Sequence, residues 1–290
     1  MKILVTGAKG MFASDLLGFL DEHDSYDVMG LDRASLDITN RESVKNVIKD
    51  YRPDVIIHPA AQTNVDYCEQ NPEEAYSVNT FGTSLVAFYA RKYGANLVYL
   101  SSCGVFGDEV KEYSEYDNVV LKSVYARSKY LGEIAVTQQC PEAIIIRPGW
   151  LFGGTINHPK NFVYKRYLEA QTKDFMESTV DKWGCPTYTL DLAKKIIELI
   201  ETDSFGLYHI TNEGSTTRFD YVTEILKNFG LKTEVVPVDS SKFLRSAPVP
   251  DCEILDNMNL RLSGLQPLQS WKQAIKEYVN RIQTEISQDL

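Results

Sequence analysis

Tyr125 and Lys129 stand four residues apart in the stretch Val124-Tyr125-Ala126-Arg127-Ser128-Lys129. On a helix that spacing stacks the two side chains on one face. A free phenol titrates near ~10 and is a poor acid–base group at neutral pH. An ammonium within about 4 Å favours the phenolate by roughly 4 kcal/mol at an effective dielectric of about 20, or about three pKa units. The pair therefore reads as a general acid or base tuned by its neighbour. Alone the signal is weak, and an ordinary surface helix carrying a Tyr and a Lys competes with it. The elements that must position the pair decide.

Those elements begin at once. Residues 2–6 (KILVT) form a continuous apolar run, the mark of a strand buried on both faces. Gly7-Ala8-Lys9-Gly10-Met11-Phe12-Ala13 follows, then an amphipathic helix to about residue 22. Strand, glycine turn and helix N-terminus together suit a pyrophosphate. The spacing is G-x-x-G-x-x-A, and no G-K-[ST] ending marks an ATP-binding loop. A second strand, 27–31, ends at Asp32-Arg33. A carboxylate there can hold the adenosine ribose diol, whereas Arg33 can face a 2′-phosphate. Asp32 tilts the choice toward NAD and leaves NADP open. Leu36-Asp37-Ile38 is placed to flank the adenine, unless Asp37 merely begins the next turn.

A helix at 41–51 leads to a third buried strand, 55–58 (VIIH), and then to the small residues Pro59-Ala60-Ala61. His58, at the end of a buried strand, reads as a hydrogen-bonded structural residue rather than a catalytic one. Asn71-Pro72-Glu73-Glu74 is a helix start, and that helix is expected to run to about residue 93 with Asn79 inside it. A fourth strand, 96–100, ends at Ser101-Ser102-Cys103-Gly104, where hydroxyls lie at the ligand-binding edge of a doubly wound sheet. After a polar loop comes the Tyr125–Lys129 helix, then a fifth strand, 143–147, ending at Pro148-Gly149-Trp150. This alternation predicts an α/β fold with a doubly wound parallel sheet. Residues 1–150 are expected to bind a dinucleotide, together with 188–212. Residues 151–290 are expected to form mainly a smaller substrate-binding α/β region. There a helix over 161–170, a turn-rich loop at 182–187, helices near 191–201, 219–229 and 269–286, and strands near 206–210 and 234–238 are expected.

Composition bounds the possibilities. The chain has 290 residues and a formal net charge of −10, which argues against nucleic acid and anionic membrane surfaces as partners. Five cysteines (68, 103, 140, 185, 252) lie far apart without a C-x-x-C pair, fitting a reducing compartment and no zinc site. The glycines after the first strand break any signal-like run. No apolar stretch approaches the ~18 residues needed to cross a bilayer. No metal is assigned, and a cytoplasmic protein is expected.

Taken together, T-G-A-x-G after strand one, the acid after strand two, Ala60-Ala61, Asn79, Ser102 with Tyr125-x-x-x-Lys129, and Arg147-Pro148-Gly149 resemble the extended short-chain dehydrogenase/reductase family over essentially the whole chain. The second half is most similar to the dTDP-4-dehydrorhamnose reductase branch, through Val65-Asp66, Val105-Phe106, Trp150, Asn161-Phe162, Gly184-x-Pro186-Thr187, Asp191-Leu192-Ala193 and Ile254-Leu255-Asp256-Asn257. The resemblance implies NADPH or NADH as cofactor and a nucleotide-linked 4-keto-6-deoxy sugar as substrate. Tyr125 would donate the proton, Ser102 would hold the carbonyl oxygen, and Lys129 would lower the Tyr pKa and bond the nicotinamide ribose. Gly7, Lys9, Gly10, Met11, Phe12, Asp32, Arg33, Asp37, Ile38, Ala60, Ala61, Thr63, Asn79, Tyr125, Lys129 and Pro148 are the implied cofactor contacts. Val65, Asp66, Ser102, Trp150, Asn161 and Arg245 are the implied substrate contacts. Lys165, Arg166 and the 182–187 loop join Arg245 as candidates for the diphosphate.

Two departures stand out: that branch usually carries Thr-Asp where this chain has Ser102-Cys103, and Asn where it has His58. Losing the Asp removes a polar group near the sugar. The resemblance also admits an epimerase with tightly held NAD, another nucleotide-sugar reductase, or a non-catalytic NADP-binding regulatory subunit similar to the β subunit of methionine adenosyltransferase. A homodimer is compatible with all of these.

Overall fold

The computed structural model describes residues 1–202 and 204–288. Six parallel strands form the central sheet, in the spatial order Gly206–Ile210, Ile144–Pro148, Asn96–Leu100, Val55–His58, Lys2–Thr6, Asp27–Leu31. Successive side chains along a strand point to opposite faces. Ile3 and Val5 thus join one apolar layer with Leu16, Ile57, Leu192 and Ile196. Leu4 joins the other with Val44, Ile56, Val86 and Leu97. Both faces are covered, which is why the first strand carries no polar alternation. The strand order reverses between Lys2–Thr6 and Val55–His58, the position where such sheets open a ligand crevice.

The chain leaves this sheet after Pro148 and comes back to it. Trp150–Phe152 pairs in parallel with Pro186–Tyr188. Phe175–Thr179 pairs with Glu234–Val238. Trp183–Gly184 lies between Thr216–Thr217 and Cys252–Glu253. Helices Phe162–Ala170 and Arg218–Asn228 cover these strands, and Trp271, Ile275, Tyr278, Val279 and Ile282 of the last helix fill a separate aromatic core with Phe152, Tyr188 and Tyr221. Helix Thr189–Ile200 packs back under the central sheet.

One buried junction ties the two regions. Asp15, on the first helix Met11–Asp21, accepts from the Gly154 N–H at 2.8 Å and from the Thr189 hydroxyl, and pairs with Arg281 at 3.0 Å. Arg281 also donates to the Gly154 carbonyl at 2.6 Å.

Three elements differ from expectation. The helix expected over 72–93 divides into Pro72–Tyr76, a π-helical turn Ser77–Gly82, and Thr83–Tyr93. The wide turn carries Asn79, whose side chain is fully buried and needs partners that a regular helix would not reach. The 182–187 loop holds two short strands, each two or three residues long, too short to leave a periodic signature. Strand Phe175–Thr179 escaped notice because its residues alternate exposed and buried around polar side chains.

Candidate active site

Ser102 follows the strand Asn96–Leu100, and Tyr125 and Lys129 come from the helix Val124–Gln139. Ser123 caps that helix by accepting from the Ala126 N–H at 3.1 Å. Glu69 accepts from the Val124 N–H at 2.8 Å. Arg147 donates twice to Glu133 on the same helix, at 2.9 and 2.6 Å, and the Ser101 hydroxyl bonds the same carboxylate. This buried pair joins the ends of two adjacent strands to the helix, so Ser102 and Tyr125 are held in one frame. The Arg of Arg-Pro-Gly is therefore an anchor.

The neighbouring Ser102 hydroxyl lowers the pKa of the Tyr125 phenol, but burial outweighs this and pushes the phenol well above its ordinary range. The ammonium of Lys129 is pulled down to about 7, by burial against the opposing charge of Glu133. Burial, rather than Lys129, sets where the phenol titrates here. Lys129 is 2 % exposed, donates to the Leu100 carbonyl at 2.6 Å, and sits 4.3 Å over the Tyr99 ring. Desolvation dominates both groups, and Tyr125 stands as a protonated phenol, a donor at neutral pH.

Beside this pair runs a groove of about 790 Å³ lined by Gly7, Lys9, Gly10, Met11, Phe12, Asp32, Arg33, Ala60, Ala61, Thr63, Ser102, Tyr125, Lys129 and Pro148. Its floor depends on Gly7, at φ +63°, where a Cβ would stand 3.0 Å from the Ala60 Cα. A smaller recess of about 140 Å³ continues from it past Arg33, Asp37 and Ile38. The length of the groove, its glycine floor and its position at the sheet's reversal fit a dinucleotide.

The end near Asp32 holds a fixed carboxylate beside an exposed cation. The Asp32 carboxylate accepts from the Ala34 and Ser35 N–H groups and the Ser35 hydroxyl, and pairs with Lys9 at 2.5 Å. These bonds hold it well below the usual carboxylate range. Arg33 keeps 78 % of its side chain exposed, 3.7 Å from Glu74.

Asn79 does not reach the groove. It accepts from the Gln62 N–H at 2.8 Å, and donates to the Gln62 carbonyl and the Ser128 hydroxyl at 3.0 Å each. Its polar atoms are spent on shaping the loop behind Ala60-Ala61. His58 is fully buried between Thr6 at 2.7 Å and Thr83 at 3.2 Å, and burial drives its imidazole down to about 3.

A second cavity, about 490 Å³, is lined by Trp150, Lys122, Lys182, Arg218, Arg245 and Glu253. The Trp150 ring fits because Gly184 has no Cβ: one would stand 2.3 Å from the indole. Of the substrate candidates, Trp150 and Arg245 line this cavity, and Ser102 lines the neighbouring groove. Asp66 does not present a free carboxylate. It pairs with Arg245 at 3.1 Å and accepts from the Ala247 N–H at 3.0 Å. Val65 opens the helix that carries Asp66 and lines neither cavity. Asn161 is a helix cap, accepting from the Tyr164 N–H at 3.0 Å and donating to the Thr155 carbonyl and the Tyr278 hydroxyl at 2.9 and 2.6 Å. Arg166 pairs with Glu169 at 2.7 Å on its own helix, and Lys165 lies outside both cavities.

Residues that the sequence did not mark also line the two cavities. His158 and Lys160 border the groove, with Lys160 bonded to Thr63. Arg218 lies flat on Trp150, its guanidinium carbon 3.4 Å from a ring centroid. Glu253 accepts from the Trp150 indole N–H at 2.7 Å, and the Cys103 thiol lies 3.5 Å from its other oxygen. A carboxylate does stand beside position 103, supplied by another strand. Among the described residues no group of His, Cys, Asp and Glu is placed to hold a metal, and no helix is long and apolar enough to cross a membrane.

A family model described as "RmlD substrate binding domain" matches residues 1–284. The chain is 32 % identical over 279 residues to the spore coat polysaccharide biosynthesis protein SpsK of Bacillus subtilis, covering 96 % of each chain. It is also similar to the solved structure of a dTDP-4-dehydrorhamnose reductase, the RfbD orthologue of Clostridium acetobutylicum, with a TM-score of 0.94, 33 % identity, and 98 % and 100 % of the two chains covered. A dTDP-4-dehydrorhamnose reductase of Bacillus anthracis, solved in complex with NADP, gives a TM-score of 0.91, 33 % identity, and 97 % and 99 % coverage.

Proposed function

The chain belongs to the RmlD substrate-binding-domain family of extended short-chain reductases, and on that footing we propose that it reduces the C4 keto group of a dTDP-linked 4-keto-6-deoxy sugar with NADPH or NADH. The carrying observation is that Ser102 and Tyr125 line one dinucleotide-sized groove, while Cys103, next in the chain, touches Glu253 of the second cavity. When bound, the nicotinamide supplies the hydride. Ser102 bonds the ketone oxygen, and Tyr125 Oη gives its proton to the alkoxide that forms there. Lys129, held by Leu100, favours negative charge as it develops on the phenol oxygen. Gly7 and Ala60 let the pyrophosphate approach the backbone, while Lys9 and Arg33 favour a 2′-phosphate and hence NADPH. Lys122, Lys182 and Arg245, each with its charge paired to an Asp, keep N–H donors for the nucleotide diphosphate. The enzyme is read as cytoplasmic and as a homodimer, which light scattering on the purified protein checks.

The test is oxidation of NADPH and of NADH with dTDP-4-dehydro-6-deoxy-L-mannose, for the wild type and Tyr125→Phe. Turnover that the substitution removes supports the reductase. Turnover unchanged by Tyr125→Phe rejects it in favour of a mechanism that does not use this phenol. Cofactor binding without turnover on any keto-sugar points to a regulatory subunit. Release of tightly held NAD on denaturing the purified protein points to an epimerase.

A further inference from the structure

Glu253 is an acid beside the reacting pair that the proposed chemistry does not use. It ends the two-residue strand Cys252–Glu253, beside Trp183–Gly184. One carboxylate oxygen accepts from the Trp150 indole at 2.7 Å, and the other has only the Cys103 thiol, at 3.5 Å. A thiol is a weak donor, and a carboxylate oxygen carries two acceptor sites, so capacity remains on both oxygens. Gly104 keeps the approach open, since a Cβ there would stand 3.3 Å from this carboxylate.

The charges around Glu253 are unevenly spent. Lys122 pairs with Asp108 at 2.6 Å, Lys182 with Asp251, and Arg245 with Asp66 at 3.1 Å. Arg218 is instead held face to face with Trp150, and Glu253 is the charge that most favours its ionised form. The cavity thus has N–H donors at Lys122, Lys182 and Arg245, whose charges are already paired, and a carboxylate acceptor near Ser102. An anion repels phosphate and can only accept hydrogen bonds. It therefore cannot serve the diphosphate, and suits a neutral, hydroxyl-bearing ring.

Resting on the nucleotide-sugar reading above, we propose that Glu253 is the residue that positions the sugar, its carboxylate accepting hydrogen bonds from ring hydroxyls beside the carbonyl that is reduced. Trp150 and Arg218 hold that carboxylate in place. The diphosphate is then left to the N–H donors and the sugar to the carboxylate acceptor of one cavity, which fixes which face and which carbon meet Ser102 and Tyr125.

The experiment compares binding of dTDP and of dTDP-L-rhamnose by calorimetry, for the wild type, Glu253→Gln and Glu253→Ala, with NADPH affinity as a check on the fold. The sugar's contribution is the ratio of the two affinities. Loss of a charged hydrogen bond predicts that this ratio falls about 10- to 100-fold in Glu253→Ala, with a smaller fall in Glu253→Gln and dTDP binding unchanged. Equal weakening of both ligands would show that Glu253 only props Trp150, and overturns the proposal. Unchanged binding of both overturns it too. The readout needs no turnover, so it is separable from failure of the reductase reading.

Discussion

Lys129 donates to the carbonyl of Leu100 at 2.6 Å, across the step from the helix to the strand end that leads into Ser102. Its ammonium is held down to about 7, against an ordinary 10.5. The unfolded chain therefore binds this proton more tightly than the folded one, and the charge opposes folding below about pH 7. That cost is relieved as pH rises from about 7 to 10.5. Lys129→Met lacks this dependence. Urea unfolding of both proteins between pH 7 and 10 should show the wild type gaining on the variant by on the order of 2–4 kcal/mol. A constant difference would mean that Lys129 keeps an ordinary pKa.

His58 and His209 titrate in the opposite part of the scale. Burial takes both down to about 3 from 6.5. Each is neutral in the fold and must gain a proton on acid unfolding, so stability is complete above about 6.5 and is lost as pH falls toward 3. Each histidine contributes a slope of up to about 1.4 kcal/mol per pH unit in that window. His58→Asn should lower the slope of unfolding free energy between pH 6 and 4 by that amount while leaving reductase activity measurable. Loss of all activity with an intact fold would instead make His58 a catalytic group.

Ser102→Ala should lower kcat by about 10- to 100-fold, and Tyr125→Phe by about 100- to 10,000-fold, because the first removes a bond to the oxygen and the second the proton itself. The affinity for NADPH, read by fluorescence, should change less than about threefold in either. A comparable loss of NADPH affinity would show that the pair holds cofactor rather than ketone.

Arg33→Ala should reduce affinity for NADPH by about tenfold and leave NADH nearly unchanged, since an exposed cation reads only the 2′-phosphate. An equal effect on both would move Arg33's role to the adenine recess it also borders.

Gly7→Val should weaken both dinucleotides severely, because the residue sits at φ +63° against Ala60 and a branched side chain fits neither the backbone nor the space. Cofactor titration alongside thermal unfolding separates the lost site from the lost fold.

The parts of the site that chain neighbours build were legible in the sequence. The glycine turn, Asp32, Ala60-Ala61, Ser102 and the Tyr125–Lys129 spacing each follow directly from a strand or sit on one helix. What required the fold was the spending of polar groups. Asn161 carries a ligand-like side chain, yet its bonds go to Tyr164, Thr155 and Tyr278. Asp66 and Arg245 lie 179 positions apart and cancel each other. Glu253 comes from a two-residue strand with no pattern of its own, and reaches Trp150 across 103 positions. Lys129 had the right spacing to Tyr125, but a buried carbonyl at Leu100 was a closer partner than any spacing rule reveals.

The Asp15 junction has a consequence for synthesis. Asp15 leaves the ribosome early, while its buried partner Arg281 lies 266 residues later. For nearly the whole of translation the first helix carries a carboxylate whose counter-charge does not yet exist. Until Arg281 is made, Asp15 has only the Gly154 N–H and the Thr189 hydroxyl, both neutral, to answer its charge at this junction.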